Sequence, residues 1–459
     1  MYDVIVIGAG AAGLVIAIGA TKAKKKVLLI EKRFFGGDCT NFGCIPSKSL
    51  IASAKTAHAI KNAHELGIQT GSISIDGKGA FSRVRQIIKT IRTYEEPLAL
   101  EALGVETLVG TASFKDPHTL LVNEREVKGK QIVIATGSYP IIPPIEGLKE
   151  TPFLTNETIF NLEEIPAKMI FIGGGPIGCE LSQALSRLGS DVTIVERKIL
   201  AREDEEARQV LITSLQKEGI SLKLGSYVEK VTYENNQFTV FIEGQSLQAG
   251  HLFVGVGRRP HLQELELDKA KLDWSENGVI VNPYGSTTQP HIWAVGDAIG
   301  PPFFTHFAEN QARTVLKNLL IPFKTKKSSQ ALPRVTYTDP EIASIGMISS
   351  TAIDKYGEKK LAIYTVPFSE VDRNITNGRT EGFVKIITKK WSSQILGATI
   401  VGPRAGEMLM EISLAMFTKT PLRKLSQLIH PYPIESLSIR KAADLWLTQI
   451  LLGVFRKKS

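Results

Sequence analysis

The most reactive side chains in the sequence are two cysteines five positions apart, Cys39 and Cys44. Two neighbouring thiols can form a disulfide that is reduced and reoxidised in each catalytic cycle. In an ideal helix, residues at this spacing are about 8.6 Å apart, beyond the roughly 4.4 to 6.8 Å that a disulfide tolerates. Any bridge must therefore distort the turn, and Gly43 and Pro46 permit this. The spacing predicts a strained, accessible and readily reduced dithiol pair.

A zinc half-site and a pair of inert buried thiols are the alternative interpretations. Zinc requires two further ligands, and the sequence contains three cysteines in all, with no second pair. Inert thiols would not require so unusual a local sequence, which favours redox chemistry. The third cysteine, Cys179, is predicted to be a small packing residue. We expect no resident metal site.

The cysteine pair follows a segment typical of a dinucleotide-binding unit. Residues 3–7 predict a buried strand, the stretch to about Thr21 a helix, and Val27–Ile30 a second strand. Three glycines at the first strand–helix junction would let the backbone approach a pyrophosphate at the helix N-terminus: Gly8, Gly10 and Gly13. Glu31 follows the second strand, 23 positions after the first glycine, where an acid can hold the ribose hydroxyls.

The same pattern occurs a second time. Residues 169–172 predict a strand, 180–188 a helix and 192–195 another strand. Three glycines again follow the first strand: Gly173, Gly175 and Gly178. Glu196 lies 23 positions after the first of them. Because two matched fingerprints are not expected by chance, we predict two dinucleotides, with FAD in the N-terminal unit and a nicotinamide in the second.

The residues around Glu196 bear on which nicotinamide is used. The carboxylate favours NAD, because it would repel the 2′-phosphate of NADP. Arg197 and Arg202 could pair with such a phosphate, so NADP stays open as a second possibility.

Composition and charge exclude several classes of protein. Over 459 residues, 43% are hydrophobic and 22% charged, which fits a folded enzyme of several domains. The net charge of +9 comes from lysines and arginines scattered through the sequence, so we predict no nucleic-acid partner. We expect no targeting signal and no membrane span, and read the tail 447–459 as a last helix with a solvated end. The cysteine usage indicates the cytoplasm.

These motifs resemble those of the class I flavoprotein disulfide reductases, the family of dihydrolipoyl dehydrogenase, glutathione reductase and mercuric reductase. Besides the segment around the two cysteines, three motifs spread along the chain carry the resemblance: Ala135-Thr136-Gly137, Val256-Gly257-Arg258-Arg259-Pro260 and Trp293-Ala294-Val295-Gly296-Asp297. The resemblance covers essentially the whole chain. It implies an α/β fold with two Rossmann-like domains, for FAD and NAD(P), and a C-terminal α+β dimerisation domain.

The resemblance also implies roles for individual residues. Cys44 would lie against the flavin, and Cys39 would exchange with the substrate. Lys48 would sit beside flavin N5 and pair with Glu180, since a cation there stabilises the reduced ring. Three further residues are implied as FAD contacts, the first at the ribityl chain and the others through their backbones: Asp297, Ala112 and Thr305.

The last third of the chain is similar to the family's interface domain, which implies a homodimer. In disulfide-reducing members this domain lends a histidine and a glutamate across the interface, and the histidine takes the thiol proton. An ungapped comparison places Tyr432 at the histidine and Leu437 at the glutamate, whereas a shifted register would use His430 and Glu435. We expect Tyr432, with His430 as the alternative.

A tyrosine at this position is similar to mercuric reductase, and a phenol with a pKa near 10 is a poor base at neutral pH. Mercuric reductase uses an additional cysteine pair near its C-terminus, and this sequence has none. The missing cysteine pair argues against efficient mercury reduction, and the electron acceptor stays open.

Four regions are expected: a FAD-binding domain 1–150, an NAD(P)-binding domain 151–265, a central part 266–333 that returns to the FAD domain, and a dimerisation domain 334–459. The expected function is NAD(P)H oxidation with transfer of electrons through FAD and the cysteine pair to a disulfide or metal-type acceptor. Two alternatives stay open: a dihydrolipoyl dehydrogenase subunit of an oxo-acid dehydrogenase complex, and a redox- or metal-responsive binding protein.

Overall fold

The computed structural model describes residues 1–328 and 330–452 and begins with a nucleotide-binding domain. This domain contains the following elements: β1 Tyr2–Ile7, α1 Ala11–Lys22, β2 Val27–Glu31, α2 Gly37–Asn41, α3 Cys44–Lys61, α4 Gly77–Arg92, α5 Pro97–Ala102, β3 Glu106–Val109, β4 Ala112–Asp116, β5 Thr119–Val122, β6 Arg125–Ile134 and β7 Ser138–Pro140. The core strands pair in parallel in the order β3-β2-β1-β6, and β4 and β5 extend the sheet in antiparallel pairing.

A second domain repeats this arrangement. Its elements are β8 Lys168–Ile172, α6 Pro176–Arg187, β9 Asp191–Glu196, α7 Glu205–Lys217, β10 Ser221–Leu224, β11 Lys230–Glu234, β12 Gln237–Ile242, β13 Gln245–Ala249, β14 His251–Val254 and β15 Arg258–Pro260. The parallel sheet has the order β10-β9-β8-β14, and β11-β12-β13 form a separate antiparallel sheet. Helix α6 begins at Pro176 and not at residue 180 as predicted, because proline is well accommodated in a first helical turn.

The chain then returns to the first domain. The elements of this part are β16 Trp274–Ser275, β17 Gly278–Val279, β18 Ile292–Ala294 and α8 Thr305–Leu320. Strand β18 pairs with β6 in parallel, with Ile292 opposite Ile132. The carboxyl ends of β1, β2, β6 and β18 therefore meet at one edge of the sheet, which is where open α/β sheets bind their ligands.

The last domain is an antiparallel sheet covered by helices. It contains β19 Pro333–Thr336, β20 Glu341–Gly346, α9 Ser349–Tyr356, β21 Leu361–Pro367, α10 Asp372–Thr376, β22 Phe383–Lys389, β23 Ile395–Gly402, α11 Ala405–Phe417, α12 Leu422–Leu425 and α13 Leu437–Trp446. The strand order is β19-β20-β23-β22-β21. A π-helical turn covers Leu447–Leu452, and the rest of the predicted last helix, 453–459, lies outside the described residues.

Short 3-10 helices lie between the larger elements: Ala63–Leu66, Leu148–Glu150, Ile159–Asn161, Leu267–Ala270, Gly296–Ile299, Glu358–Lys360 and Phe368–Glu370.

One hydrophobic cluster joins the three domains, because Leu50 and Phe81 of the first, Phe171 of the second and Ile342 of the last belong to it. Across 1–328 and 330–452, no helix combines the length and apolar character that crossing a membrane requires.

Candidate active site

The chain leaves helical geometry between the two cysteines. Helix α2 carries Cys39, and α3 begins at Cys44. Gly43 precedes α3, and a β-carbon at this glycine would lie 3.1 Å from the carbonyl oxygen of Asp38 and 3.2 Å from the Cys39 α-carbon. A larger residue would have to displace the backbone beside the thiols. The irregular turn that a dithiol pair requires is therefore present.

Cys39 and Cys44 are free thiols whose pKa values diverge. The hydrogen bond from Cys39 is the main reason that the pKa of Cys44 falls to about 6, while burial opposes the fall and Lys48 and Thr305 assist it. The same hydrogen bond, together with burial, raises the pKa of Cys39. Thr305 Oγ1 lies 3.7 Å from Cys44 Sγ. At neutral pH the pair therefore holds one thiolate, on Cys44, and one thiol proton, on Cys39.

Three domains meet at the side chain of Lys48. Its ammonium group lies 2.7 Å from Glu180 Oε2 on α6 and 4.5 Å above the ring of Tyr337, from the last domain. The other oxygen of Glu180 accepts a hydrogen bond from the Tyr337 backbone N–H at 2.9 Å. Burial opposes the charge on Lys48, but the carboxylate of Glu180 outweighs it and raises the pKa of the lysine. The amine thus stays cationic beside the Cys44 thiolate.

A polar clamp that the sequence analysis missed holds the turn from its other side. Asn156 donates from Nδ2 to Asp38 Oδ1 at 3.1 Å and to the Phe42 carbonyl at 3.4 Å. Arg258 forms an ion pair with Asp38 at 3.0 Å. The clamp therefore holds Asp38, the residue before Cys39, and the carbonyl group of Phe42, the residue before Gly43. Two signals for it were present in the sequence, an acid directly beside a reactive cysteine and the family motif that contains Arg258.

Arg258 also connects the clamp to Asp297. It donates from Nε to Ser138 Oγ at 2.8 Å, and Ser138 in turn donates to Asp297. Burial raises the pKa of Asp297, whereas Ser138 and Arg258 oppose the rise. The residue implied as a ribityl contact is thus linked to the redox turn by two side chains.

The backbone of the first glycine fingerprint packs closely against the carboxyl ends of the parallel strands. Gly8 has a φ of +103°, and a β-carbon there would lie 2.3 Å from the Ala135 carbonyl oxygen. A β-carbon on Gly13 would lie 1.8 Å from the Gly8 carbonyl oxygen. A β-carbon on Gly10 would lie 3.7 Å from the α-carbon of Gly37. Side chains at Gly8 and Gly13 would therefore force this junction of strand and helix apart.

A cavity of about 580 Å³ opens at this edge of the sheet. Several residues predicted to bind FAD line it: Gly8, Glu31, Ala112 and Thr136. Glu31 stands at its rim and accepts hydrogen bonds from the backbone N–H groups of Ala9 and Arg33, both at 2.8 Å. Gly137, which follows Thr136, has a φ of +71°. A glycine cradle, an acid at the ribose position and a long cleft fit an adenine dinucleotide such as FAD.

The second fingerprint repeats this geometry. Gly173 has a φ of +117°, and its β-carbon would lie 2.4 Å from the Gly255 carbonyl oxygen. The β-carbon of Gly178 would lie 2.0 Å from the Gly173 carbonyl oxygen, while Gly175 has open space around it. Gly257, at a φ of +144°, lies shortly after β14. The open approach at the middle glycine fits a pyrophosphate.

Glu196 makes the same contacts in this domain as Glu31 makes in the first. It accepts hydrogen bonds from the backbone N–H groups of Gly174 at 2.8 Å and Arg197 at 2.7 Å. The guanidinium of Arg197 stacks 4.9 Å above the ring of Tyr227, and Arg202 is exposed. Cys179 is fully buried in α6, as a packing residue is.

Within the described chain, the residues proposed as the interface acid or base lie apart from the thiols. Tyr432 is 72% exposed and donates its hydroxyl to Asp372 at 2.8 Å, which raises the pKa of the phenol. His430 is buried and approaches Glu411 at 3.2 Å and the Leu428 carbonyl at 3.1 Å. No hydrogen bond in residues 1–328 or 330–452 joins Tyr432 or His430 to either cysteine.

The alternative glutamate positions also lie in the last domain. Glu435 is within 3.5 Å of the side chain of Asn377, and burial raises its pKa. Leu437 is buried at the start of α13. In the structure the carboxylate beside His430 is that of Glu411, and not that of Glu435.

Helix α11 presents apolar side chains to solvent at helical spacing. Met410, Leu414 and Phe417 are each more than half exposed, and Ile429 on the nearby loop is 92% exposed. Residues spaced by three and four positions share one face of a helix. An exposed apolar face of this kind is typical of a subunit interface.

Two comparisons with known families agree with these observations. Residues 2–312 match the pyridine nucleotide-disulphide oxidoreductase family, and residues 332–443 match its dimerisation domain. The chain belongs to this family. It is therefore a flavoprotein oxidoreductase that uses FAD and a nicotinamide dinucleotide, and its last domain is a dimerisation domain, which supports a homodimer. The predicted fold class, family, enzyme class and cofactors are confirmed.

Similar proteins include two types of enzyme. The dihydrolipoyl dehydrogenase of Chlamydia muridarum is 33% identical, over 99% of this chain and 97% of its own. The mercuric reductase of Lysinibacillus sphaericus is 29% identical, over 98% of this chain and 85% of its own. Among solved structures, the HOCl-induced flavoprotein disulfide reductase RclA from Escherichia coli matches with a TM-score of 0.87 and 27% identity, covering 97% of this chain and 100% of its own. A Cu(II) complex of RclA matches equally well.

Proposed function

We propose that this flavoenzyme passes electrons from a reduced nicotinamide through FAD to the Cys39–Cys44 disulfide, and from the dithiol to a metal ion such as Cu(II), with Hg(II) as a poorer acceptor. The observation that carries the choice of acceptor is the hydrogen bond from Tyr432 to Asp372. Similarity to a mercuric reductase and to a copper-binding relative supports it.

Disulfide exchange needs a base, and Tyr432, the residue that we expect at the family's base position, is a poor base at neutral pH. Asp372 raises the pKa of Tyr432 further above its ordinary value near 10, so the phenol keeps its proton. A metal ion can take electrons directly from thiolates and requires no such base. Soft metal ions also bind thiolate sulfur well. The local chemistry therefore favours a metal acceptor over a large disulfide substrate.

The residues of this site divide the work as follows. FAD, when bound, accepts a hydride from the nicotinamide and delivers an electron pair to the disulfide. Cys44 provides the thiolate, since its pKa is about 6, and Cys39 retains the second thiol proton. Lys48 supplies a positive charge that is fixed by Glu180. Asp297, Ala112 and Thr305 would contact FAD, as the resemblance implies.

The oxidative half of the cycle is balanced without further reactants. The dithiol pair holds one thiolate and one thiol, so re-forming the disulfide releases two electrons and one proton. The electrons reduce two Cu(II) ions to Cu(I), or one Hg(II) ion to elemental mercury, and the proton passes to water. Among residues 1–328 and 330–452 no cluster of three histidine, cysteine or acidic side chains could hold a metal. The acceptor would therefore bind at the thiols themselves.

The second candidate function is that of a dihydrolipoyl dehydrogenase, and the His430–Glu411 pair favours it. A histidine fixed by a carboxylate is the arrangement that takes a thiol proton in exchange reactions. The identity of 33% to a dihydrolipoyl dehydrogenase agrees with this reading. His430 would have to act across the dimer interface.

Further details follow from the same site. We infer that NADH is preferred, because Glu196 stands at the ribose position, with NADPH kept as a possible donor through Arg197 and Arg202. The four regions are proposed to divide at about residues 150, 265 and 333. The protein is proposed to act in the cytoplasm, where thiols are kept reduced.

Steady-state assays separate the candidates. Purified enzyme loaded with FAD is supplied with NADH or NADPH and with Cu(II), Hg(II), lipoamide or glutathione disulfide as the acceptor. Turnover with a metal ion that disappears in Cys39→Ser and Cys44→Ser supports the proposal. Faster turnover with lipoamide, lost in His430→Gln and kept in Tyr432→Phe, would replace it with the second candidate. No turnover with any acceptor would favour a redox-responsive binding protein.

A further inference from the structure

Two segments of the sequence contain lysines and no acidic residue. Residues 4–30 carry four lysines, among them Lys22, Lys24 and Lys25, with no aspartate or glutamate anywhere in the range. Residues 310–338 likewise contain no acid and carry Lys317, Lys324 and Lys326. In the sequence the two segments are almost three hundred positions apart. The sequence alone therefore presents these lysines as part of a scattered positive charge.

The fold brings the two segments side by side. Helices α1 and α8 pack together, and a β-carbon on Gly19 would lie 2.2 Å from a methyl group of Leu316. Near their N-terminal ends, Ala12 and Ala308 both lie beside Gly296, so the two helices run in parallel. Their C-terminal ends are therefore adjacent. The segment after α8 lies near the C-terminal end of that helix, because Asn318 forms two hydrogen bonds with Thr325. The Asn318 side chain donates to the Thr325 carbonyl and accepts from the Thr325 backbone N–H.

This basic edge, defined by the six lysines named above, lies opposite the active site. Helix α1 starts at the glycine fingerprint and runs back along the sheet, so its C-terminal end lies where β1 begins, and Lys26 lies there 4.8 Å above the ring of Tyr2, the first residue of β1. On the segment after α8, Lys324 lies 5.0 Å above the ring of Trp293. The glycine fingerprint and the FAD cavity lie at the other end of the same parallel strands. A partner bound at the basic edge would leave the thiols and both nucleotide sites open.

Charge and apolar surface coincide at the basic edge. In the part of the chain that the structure describes, none of the six lysines forms an ion pair with a carboxylate. Phe323 lies between Lys317 and Lys326 in the sequence and is 82% exposed, and Ile321 is 41% exposed. An exposed aromatic ring among unpaired lysines is the pattern by which peripheral proteins bind anionic membranes.

We propose that the basic edge docks this enzyme on a membrane surface that contains anionic lipids. The lysines face the headgroup phosphates, and the Phe323 ring enters the boundary between headgroups and acyl chains. A nucleic acid or an acidic protein would also attract the lysines, but neither offers a hydrocarbon layer to an isolated phenylalanine. The role of Phe323 therefore distinguishes a lipid surface from other polyanions.

Vesicle binding by the full-length, FAD-loaded enzyme tests this proposal. Sedimentation is compared for vesicles of equal parts phosphatidylglycerol and phosphatidylcholine and for vesicles of phosphatidylcholine alone. We expect binding to the anionic vesicles only, weakened by salt. Each lysine near such a surface contributes about fivefold to the binding constant, so Lys25→Glu with Lys326→Glu should weaken binding by about 25-fold or more. The matched control Lys61→Glu with Lys78→Glu reverses two exposed lysines elsewhere and should keep the parent's affinity.

The Phe323→Ser variant supplies the decisive comparison. We expect it to bind anionic vesicles at least about fivefold more weakly than the parent while keeping the parent's affinity for heparin, a polyanion without a lipid phase. Equal vesicle binding by parent and Phe323→Ser would overturn the membrane proposal and indicate a general polyanion site. No sedimentation with anionic vesicles, or equal losses in the two double variants, would also overturn it. Unchanged flavin content and NADH oxidation in each variant exclude misfolding.

Discussion

Replacing Cys39 by alanine should raise the pKa of Cys44, because the hydrogen bond from Cys39 is the largest cause of its low value. With a pKa of about 6, roughly 90% of Cys44 is thiolate at pH 7. If the pKa returns to an ordinary cysteine value of about 8.5, the thiolate fraction at pH 7 falls to about 3%. The thiolate fraction thus falls about 30-fold, but a thiolate of higher pKa is intrinsically about tenfold more nucleophilic, so alkylation at pH 7 should slow by about threefold. The pH midpoint of labelling, which should move up by about 2.5 units, carries the prediction.

The assay follows iodoacetamide labelling of the dithiothreitol-reduced enzyme as a function of pH, with mass spectrometry to identify the labelled cysteine. Cys179 acts as an internal reference, since it is fully buried and burial raises its pKa. Cys39→Ser keeps a hydroxyl donor and should retain part of the shift. Lys48→Met should also move the midpoint upward, and Lys48→Arg should leave it close to the parent's.

One result would refute this reasoning. If Cys39→Ala and Lys48→Met both label with the parent's midpoint near pH 6, the low pKa of Cys44 does not come from its neighbours. The position of Cys44 in the first turn of α3 would then remain as the cause, because a helix N-terminus also stabilises a thiolate.

Three further changes test other parts of the structure. Glu180→Gln should lower the free energy of unfolding by about 1 to 3 kcal/mol in a denaturant titration. Because the pairing raises the pKa of Lys48 in the folded state, the difference should be complete below the ordinary lysine pKa of about 10.4 and be lost only as the pH rises through the raised pKa. Gly8→Ala should cost the purified protein most of its flavin absorbance, whereas Gly189→Ala, also at positive φ but with no atom within 4 Å, should not. Leu414→Glu should weaken the dimer at least about 100-fold in sedimentation experiments, and Leu98→Glu, at a leucine that is more exposed and lies elsewhere, should not.

The nucleotide-binding units were the part of the fold most accessible from sequence. Their signals are local: a buried strand, glycines where the backbone turns, and an acid at a fixed distance, as at Gly8 and Glu31. The structure extends the predicted elements by a residue or so, and it moves the start of α6 back to Pro176. Local geometry and close backbone approach together allow few alternatives.

The contacts between residues far apart in the sequence could not be predicted from local sequence patterns. Asn156 holds Asp38, and Asp372 holds Tyr432, across 118 and 60 positions. Nothing in the local pattern of an asparagine or an aspartate tells which residue it will meet after folding. His430 is a similar case, because its partner Glu411 lies on a helix whose orientation depends on packing. Family resemblance supplied the Lys48–Glu180 pair, which the spacing of residues alone does not.

The junction of Lys48, Glu180 and the Tyr337 backbone limits how such enzymes can be recombined. Glu180 lies on α6, the first helix of the nicotinamide domain, yet both of its carboxylate oxygens accept hydrogen bonds from neighbouring domains. One accepts from Lys48 and the other from the Tyr337 backbone N–H. A chimera that imports a nicotinamide domain to change cofactor preference would therefore leave Lys48 without its carboxylate partner unless the donor has a glutamate in this register. Grafting the short segment around Glu196, which leaves this junction untouched, is the safer route to a redesigned coenzyme preference.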